Sequence, residues 1–288
     1  MKSKPINELL NFSVINIDKP TGPTSFQISQ FIKNSLNLSK ASHMGTLDPM
    51  VTGVLPITLG RACRLSPYLM HRDKSYVGIM RLHEELSKDK LEKEMNFFLG
   101  KITQLPPLRS RVKRAERERE IKSFKILEIR GKDVLFETEV QAGTYIRKLI
   151  HDLGEKIGGA HMTELRRTKA GLFDESTLVN LYDFEKAVNE WKVNENEQPL
   201  RKMLFPAEKV LQNLLPVIKL KNTKAEKQLL TGKPLMKQDL DKLPDEDVFI
   251  LLSQDKFIGV YHKHPEGDII AKAGFVYTER SAVRFRID

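Results

Sequence analysis

Val14–Asp18 (VINID) is a short run of apolar and β-branched residues that reads as a strand, and the turn residues Lys19-Pro20-Thr21-Gly22-Pro23 close it. Thr24 or Ser25 is then placed to cap a helix through FQISQFIKNSL, in which Phe26, Ile28, Phe31, Ile32 and Leu36 fit one face imperfectly. A glycine-bounded loop follows at residues 45–53. The mainly apolar VLPITLGRACRL after it reads as strand then helix. Lys74–Leu82 alternates as a strand does, and Lys88–Phe98 has helical spacing that stops at Gly100. Phe124–Ile129 and Val134–Val140 pattern as a hairpin across residues 130–133. Gly143 is expected to open a helix, TYIRKLIHDLGEKIG, with Tyr145, Leu149 and Leu153 on one face. Residues 174–204 read as helix and polar connector.

After Pro206 the texture changes. Short strand-like pieces (VIKL, VFILL, FIGVYH, GFVYT, VRFRI) alternate with Gly, Pro and Asp turns, which suggests a small β-rich unit, such as a barrel. The boundary is therefore placed at residue 205: one domain over 1–205 and a second over 206–288.

Composition narrows the partner more than the fold. The chain has 288 residues, 40% of them hydrophobic, enough for a real core and against wholesale disorder. A net charge of +10 points to a polyanion, first of all nucleic acid, because Lys and Arg release counterions from phosphates. The most basic window is 101–125, with nine Lys/Arg against three Glu. Its opening, QLPPLRSRVKR, cannot be helical because of the paired prolines, so it reads as an extended strip or as a solvated face. Cys63 is the single cysteine, which excludes an internal disulfide and cysteine-rich zinc sites. No apolar run approaches a membrane span, and the first twenty residues hold no secretory h-region. A cytoplasmic setting without membrane contact is expected.

The candidate chemistry starts at Asp48. It is the one acid in SHMGTLDPMVTG, beside His43 and far in sequence from any counter-charge. An Asx-turn or helix cap suits Asp-Pro in such a loop, and a catalytic carboxylate suits it as well. Metal chemistry has little support: the seven histidines form no HExxH and no cysteine pairing, and His262 and His264 sit on a strand-like surface segment. No GxSxG elbow and no Walker loop occur. Arg147, among Tyr145, Ile146 and Leu149, must snorkel or find a carboxylate or phosphate. Tyr76 reads equally well as an ordinary strand tyrosine.

Taken together, NIDKPTGPTS (16–25), HMGTLDPMVTGVLP (43–56), DKSYVG (73–78), QLPPLRSRVKR (104–114), QAGTYIRKLIHDLG (141–154) and HMTELRRTKAG (161–171) resemble, in order, the motifs of TruB/dyskerin pseudouridine synthases. RLHEELSKDKLEKEMNFFLG (81–100) looks like the archaeal and eukaryotic dyskerin branch. The resemblance implies an α/β pseudouridine synthase fold with a mixed central sheet, followed by a PUA-like β-barrel. It implies that Asp48 attacks uridine so that the base detaches, rotates and rejoins through carbon, with no cofactor and no metal. Arg147 becomes its ion-pair partner in a dry pocket, and Tyr76 the ring that stacks on a flipped base. His43, Lys19, Leu149, Arg109, Lys113, Arg114, Arg166 and Arg167 become substrate or RNA contacts, with Lys19 also buttressing the aspartate loop. Ser42 and Met44 depart from the family pattern, as does TGKPLMKQDL in the tail. The implied partners are tRNA or rRNA, a box H/ACA guide RNA and the small proteins of that particle. The rivals are a stand-alone enzyme of the tRNA T-loop and a catalytically silent RNA scaffold.

Overall fold

The structure, a computed structural model, describes residues 4–105, 115–242 and 244–278. Helix α1 (Ile6–Asn11) leads into strand β1 (Ser13–Lys19), which is buried on both faces. Helix α2 (Ser25–Ser35) starts where the sequence indicates. Thr24 caps it, its side chain accepting from the Gln27 amide while the Gln27 side chain accepts from the Thr24 amide. Strands β2 (Ala41–His43) and β3 (Thr52–Leu59) flank the Asp48 loop, and the short helix α3 (Ser66–Leu69) follows. Strand β4 (Lys74–Leu82) buries every second residue, the signature of a half-covered sheet. Helix α4 (Lys88–Asn96) connects to β5 (Gly100–Gln104), β6 (Arg117–Arg130) and β7 (Asp133–Val140).

Helix α5 (Ile146–Ile157) begins later than the pattern predicts. Gly143 takes a φ of +85°, which no helix accommodates, so Tyr145 becomes the N-cap and not a helical residue. Ile146, Leu149, Ile150, Leu153 and Ile157 form its buried face, and Gly158 ends it in the left-handed conformation. The basic stretch 161–171 is strand β8 (Ala160–Ala170), followed by β9 (Phe173–Asp174), α6 (Leu181–Asn194), α7 (Gln198–Lys202), β10 (Leu204–Pro206) and α8 (Ala207–Gln212).

Ten strands form one mixed sheet in the order β10-β1-β3-β8-β4-β7-β6-β5, with β2 added to β3 and β9 to β8. Its seam is the parallel pair β3·β8, which touches only at Thr52↔Arg166 and Gly53↔Arg167. Gly53 is required there: its φ is +98°, and a Cβ would lie 2.2 Å from the Arg167 carbonyl oxygen. The Asp48 loop leaves the sheet at this seam, so the fold places the loop between two independently paired half-sheets.

The tail builds a second sheet, β11 (Val217–Lys219), β12 (Leu235–Met236), β13 (Val248–Ser253), β14 (Lys256–Glu266) and β15 (Ile269–Val276), in the order β11-β13-β14-β15-β12, with helix α9 (Glu226–Leu229) beside it. Most of the strand-like tail pieces are found there, while VRFRI lies outside the described residues. This half-barrel shares a core with the large sheet. Phe12 and Val14 pack with Ile250, Phe257, Val260, Phe275 and Tyr277, the Phe12 and Tyr277 ring centroids lying 4.3 Å apart. Arg61 donates to the Val276 carbonyl at 2.8 Å and the Thr278 carbonyl at 2.6 Å.

Candidate active site around Asp48

The Asp48 loop is held from below by backbone carbonyls given to buried cations. Lys19, wholly buried at the end of β1, donates through Nζ to the carbonyls of Pro20 (2.9 Å), Pro49 (3.0 Å) and Val51 (2.9 Å). Burial pulls its pKa down, and the nearby Asp48 charge opposes that. Arg167, also wholly buried, donates from Nε to the Val54 carbonyl at 2.7 Å and from Nη2 to the Gly45 carbonyl at 3.1 Å. Ser25 at the start of α2 adds a two-way clamp: its hydroxyl donates to the Leu47 carbonyl (3.0 Å) and accepts from the Leu47 amide (2.8 Å). The Gly22 amide donates to the Pro49 carbonyl, and the Val51 amide closes a turn onto the Asp48 carbonyl. Every one of these contacts fixes backbone and leaves the Asp48 side chain free to point outward.

That carboxylate meets Arg147 in a direct ion pair. The pair is open: the side chains are 52% and 59% exposed. The dry pocket implied by the family resemblance is therefore not a property of this chain alone. Arg147 stands in the first turn of α5, whose start is fixed by Gln104 at the end of β5. The buried Gln104 amide accepts from the Tyr145 N–H at 2.9 Å and donates to the Tyr145 carbonyl at 3.2 Å.

The other sequence-derived candidates separate into three groups. His43, half-buried on β2, has its ring nitrogens near Ser29 Oγ (3.1 Å) and Thr46 Oγ1 (3.2 Å), so it sits over the near side of the loop. Tyr76 is 6% exposed on β4, opposite Thr138 and Arg167. Lys19, Arg167 and Leu149 are wholly buried, and the Lys19 and Arg167 cations are turned onto backbone carbonyls of the loop and not toward solvent. Lys19 keeps its buttressing role, and Leu149 belongs to the main core. Arg166 is spent within the protein, forked onto Asp18 (2.9 and 3.1 Å) and reaching Glu175 at 2.6 Å. Arg109, Lys113 and Arg114 lie outside the described residues. Gln104 was not singled out from sequence and Ser25 only as a possible helix cap; both stand inside family-like motifs, the signal that marks them as part of the site.

Among the described residues one group has metal-ligand types close together, His151, Asp152 and Glu155 on α5, but Asp152 is already paired with Lys148. No helix of the described residues is long and apolar enough to cross a membrane.

The arrangement is thus a carboxylate on a loop whose backbone is tied down by buried donors, paired with one guanidinium, with Tyr76 on the strand next to the seam. The sequence matches the profile of the TruB family pseudouridylate synthase N-terminal domain over residues 33–146, and that of the tRNA pseudouridylate synthase B C-terminal domain over 147–212. It is 48% identical over 213 residues to the "Probable tRNA pseudouridine synthase B" of Nanoarchaeum equitans, and 49% identical over 213 residues to the protein of the same description from Pyrococcus abyssi. These alignments take in 74% and 73% of this chain, but only 61% and 64% of those relatives' length. Among solved structures, a Cbf5-Nop10-Gar1 complex has a chain superposing with a TM-score of 0.85 at 39% identity, over 97% of this chain and 89% of that one. An H/ACA RNP bound to a substrate RNA containing 2'-deoxyuridine gives 0.84 at 36%, over 98% and 90%. With a relative of that identity covered almost end to end, the chain belongs to the TruB family of pseudouridylate synthases.

Proposed function

We propose that this protein isomerises uridine to pseudouridine in structured RNA, with Asp48 as the catalytic group. The observation that carries this reading is the Asp48–Arg147 pair at the apex of a loop whose backbone is fixed on every side. An attacking carboxylate must be held in place, and a guanidinium paired with it does that. The open face of the pair suits a macromolecular substrate: RNA covers the site, expels water, and strengthens the electrostatics only once it is bound. Tyr76, on the strand beside the seam, is the ring for the flipped base. Uridine and pseudouridine have the same composition and oxidation state, the proton lost from C5 as the new carbon bond forms being balanced by one gained at N1, so the reading calls for no redox partner and no cofactor.

In this reading residues 1–205 are the catalytic unit and 206–288 a PUA-like unit that anchors RNA. The guide-dependent form is favoured by the likeness to chains solved within Nop10, Gar1 and H/ACA RNA assemblies, with tRNA or rRNA as the target and small proteins as partners. A stand-alone activity on tRNA is the second reading, favoured by the descriptions of the curated archaeal relatives.

Tritium release from 5-tritiated uridine in RNA separates them. The purified chain is given a tRNA transcript alone, then an rRNA fragment with box H/ACA guide RNA and the small subunits. Release only in the second mixture supports guide dependence, and release from tRNA alone supports the stand-alone enzyme. No release in either mixture ends the isomerase reading.

A further inference from the structure

The chain buries a guanidinium for which the proposed chemistry has no direct use. Arg167 is wholly buried, and the partners found for it are carbonyl oxygens and the Tyr76 phenol, with no carboxylate. Isolating a cation in this way is costly, and core volume alone is filled more cheaply by an apolar side chain. The positions of its partners explain the cost. Gly45 and Val54 bracket the segment that carries Asp48, one at each end, so a single rigid fork spans the base of the loop. Tyr76 is the direct cross-strand neighbour of Arg167 between β4 and β8, at a point where the register shifts between Ser75 and Tyr76. Its phenol is near enough to the same guanidinium to favour the charge on it. Backbone holds the residue as firmly as side chain does, because Arg167 pairs with Gly53 across the seam.

We infer that Arg167 is a positioning residue, which sets the Asp48 loop and the Tyr76 ring at a fixed separation through one buried guanidinium. The inference rests on the isomerase reading above. It gives this arginine a role unlike that of its neighbour Arg166, whose fork is taken up by Asp18 and Glu175 at the surface. The carboxylate that attacks comes from the loop before β3 and the ring that holds the base from β4, on opposite sides of the seam. A flexible link between them lets their separation drift, and a displacement near 1 Å costs about a hundredfold in rate. Lysine cannot replace the fork: it has one nitrogen, which cannot reach carbonyls on two sides and a phenol together.

The test uses the full chain with its RNA and, where needed, its partners. Arg167→Lys keeps the charge and loses the fork. The expected result is a fall in kcat of about a hundredfold with the KM for RNA within a few-fold of wild type, since RNA never touches this residue. Tyr76→Phe and the double variant complete a cycle. The two substitutions should be non-additive, Arg167→Lys costing several-fold less in the Tyr76→Phe background. Wild-type kcat in Arg167→Lys, full additivity in the cycle, or loss of folded protein would each overturn the positioning role and leave the arginine to the core. A wild-type chain that forms no pseudouridine would instead sink the reading on which the inference rests.

Discussion

The two sides of the Asp48 loop are built on opposite principles. Beneath it, Lys19, Arg167 and Lys74 are buried cations that donate to backbone carbonyls. Above it, Asp48 and Arg147 form an ion pair of opposite charges, and both are more than half exposed. A buried cation bonded to carbonyls is rigid because release strands both the charge and the oxygens. An exposed ion pair is cheap to rearrange, typically worth under about 1 kcal/mol. The loop is therefore stiff where it meets the sheet and adjustable where it meets substrate. In the proposed reading, water exclusion is left to the RNA.

Four substitutions would break or sharpen this contrast. The largest effect is expected on the upper side and on catalysis alone. Asp48→Asn should lower kcat by at least about ten-thousandfold, roughly 5 kcal/mol of barrier, while leaving the melting temperature and RNA affinity near wild type. Residual activity within tenfold of wild type would remove Asp48 from the chemistry.

Arg147→Ala belongs to the same side and should show the same division at smaller size. We expect kcat to drop by about a hundred- to a thousandfold, on the scale of losing one charged hydrogen bond to a reacting group. Because the pair is open, thermal stability should change by less than about 1 kcal/mol. A stability loss of several kcal/mol in denaturant titration would show that the pair bears structural weight and that the contrast is false.

Lys19→Met inverts that pattern. It strands three carbonyls in the interior, and the expected cost is about 3 kcal/mol of stability, read as a fall in the denaturation midpoint. Unchanged stability would mean the loop is held without its buried ammonium.

The smallest effect is a pH dependence at Lys74. This ammonium is held by the Met70 and Arg72 carbonyls at 3.2 and 3.0 Å. Burial, assisted by the Arg167 charge and opposed by Asp73, lowers its pKa from the ordinary 10.5 to about 8. Below pH 8 both folded and unfolded chains hold the proton, and the folded chain bears the full cost of burying it. Between pH 8 and 10.5 the unfolded chain binds more protons, so stability rises with pH there. Relative to Lys74→Met, wild-type stability should gain roughly 1–2 kcal/mol from pH 7.5 to 9.5. A constant difference across that range would place the Lys74 titration elsewhere.

The local elements were legible in the residues themselves. VINID, KSYVGIMRL and the 124–140 hairpin announce strands by alternation or β-branching, and Thr24 announces the start of α2, since such signals act within a few residues. The shift of the α5 start to Ile146 was less legible, because it turns on the positive φ of Gly143, a choice that the composition of TYIRKL does not reveal. Asp48, Tyr76 and Arg147 were reached only through the order of motifs resembling one family; locally each had an ordinary reading.

What the sequence determined by itself is therefore many of the strands and helices, the basic character and the identity of the acid to examine. The tertiary structure decided which charges face water. Arg166 and Arg167 are adjacent and alike in sequence, yet β8 turns one toward Asp18 at the surface and the other into the seam. Alternation along a strand predicts that neighbours face opposite ways, but not which face will be covered, because covering depends on segments distant in the chain. The same reason explains the tail: Phe12 finds Phe275 and Tyr277 from the far end of the chain. Periodicity records what one element can bury. Only packing settles what it buries against.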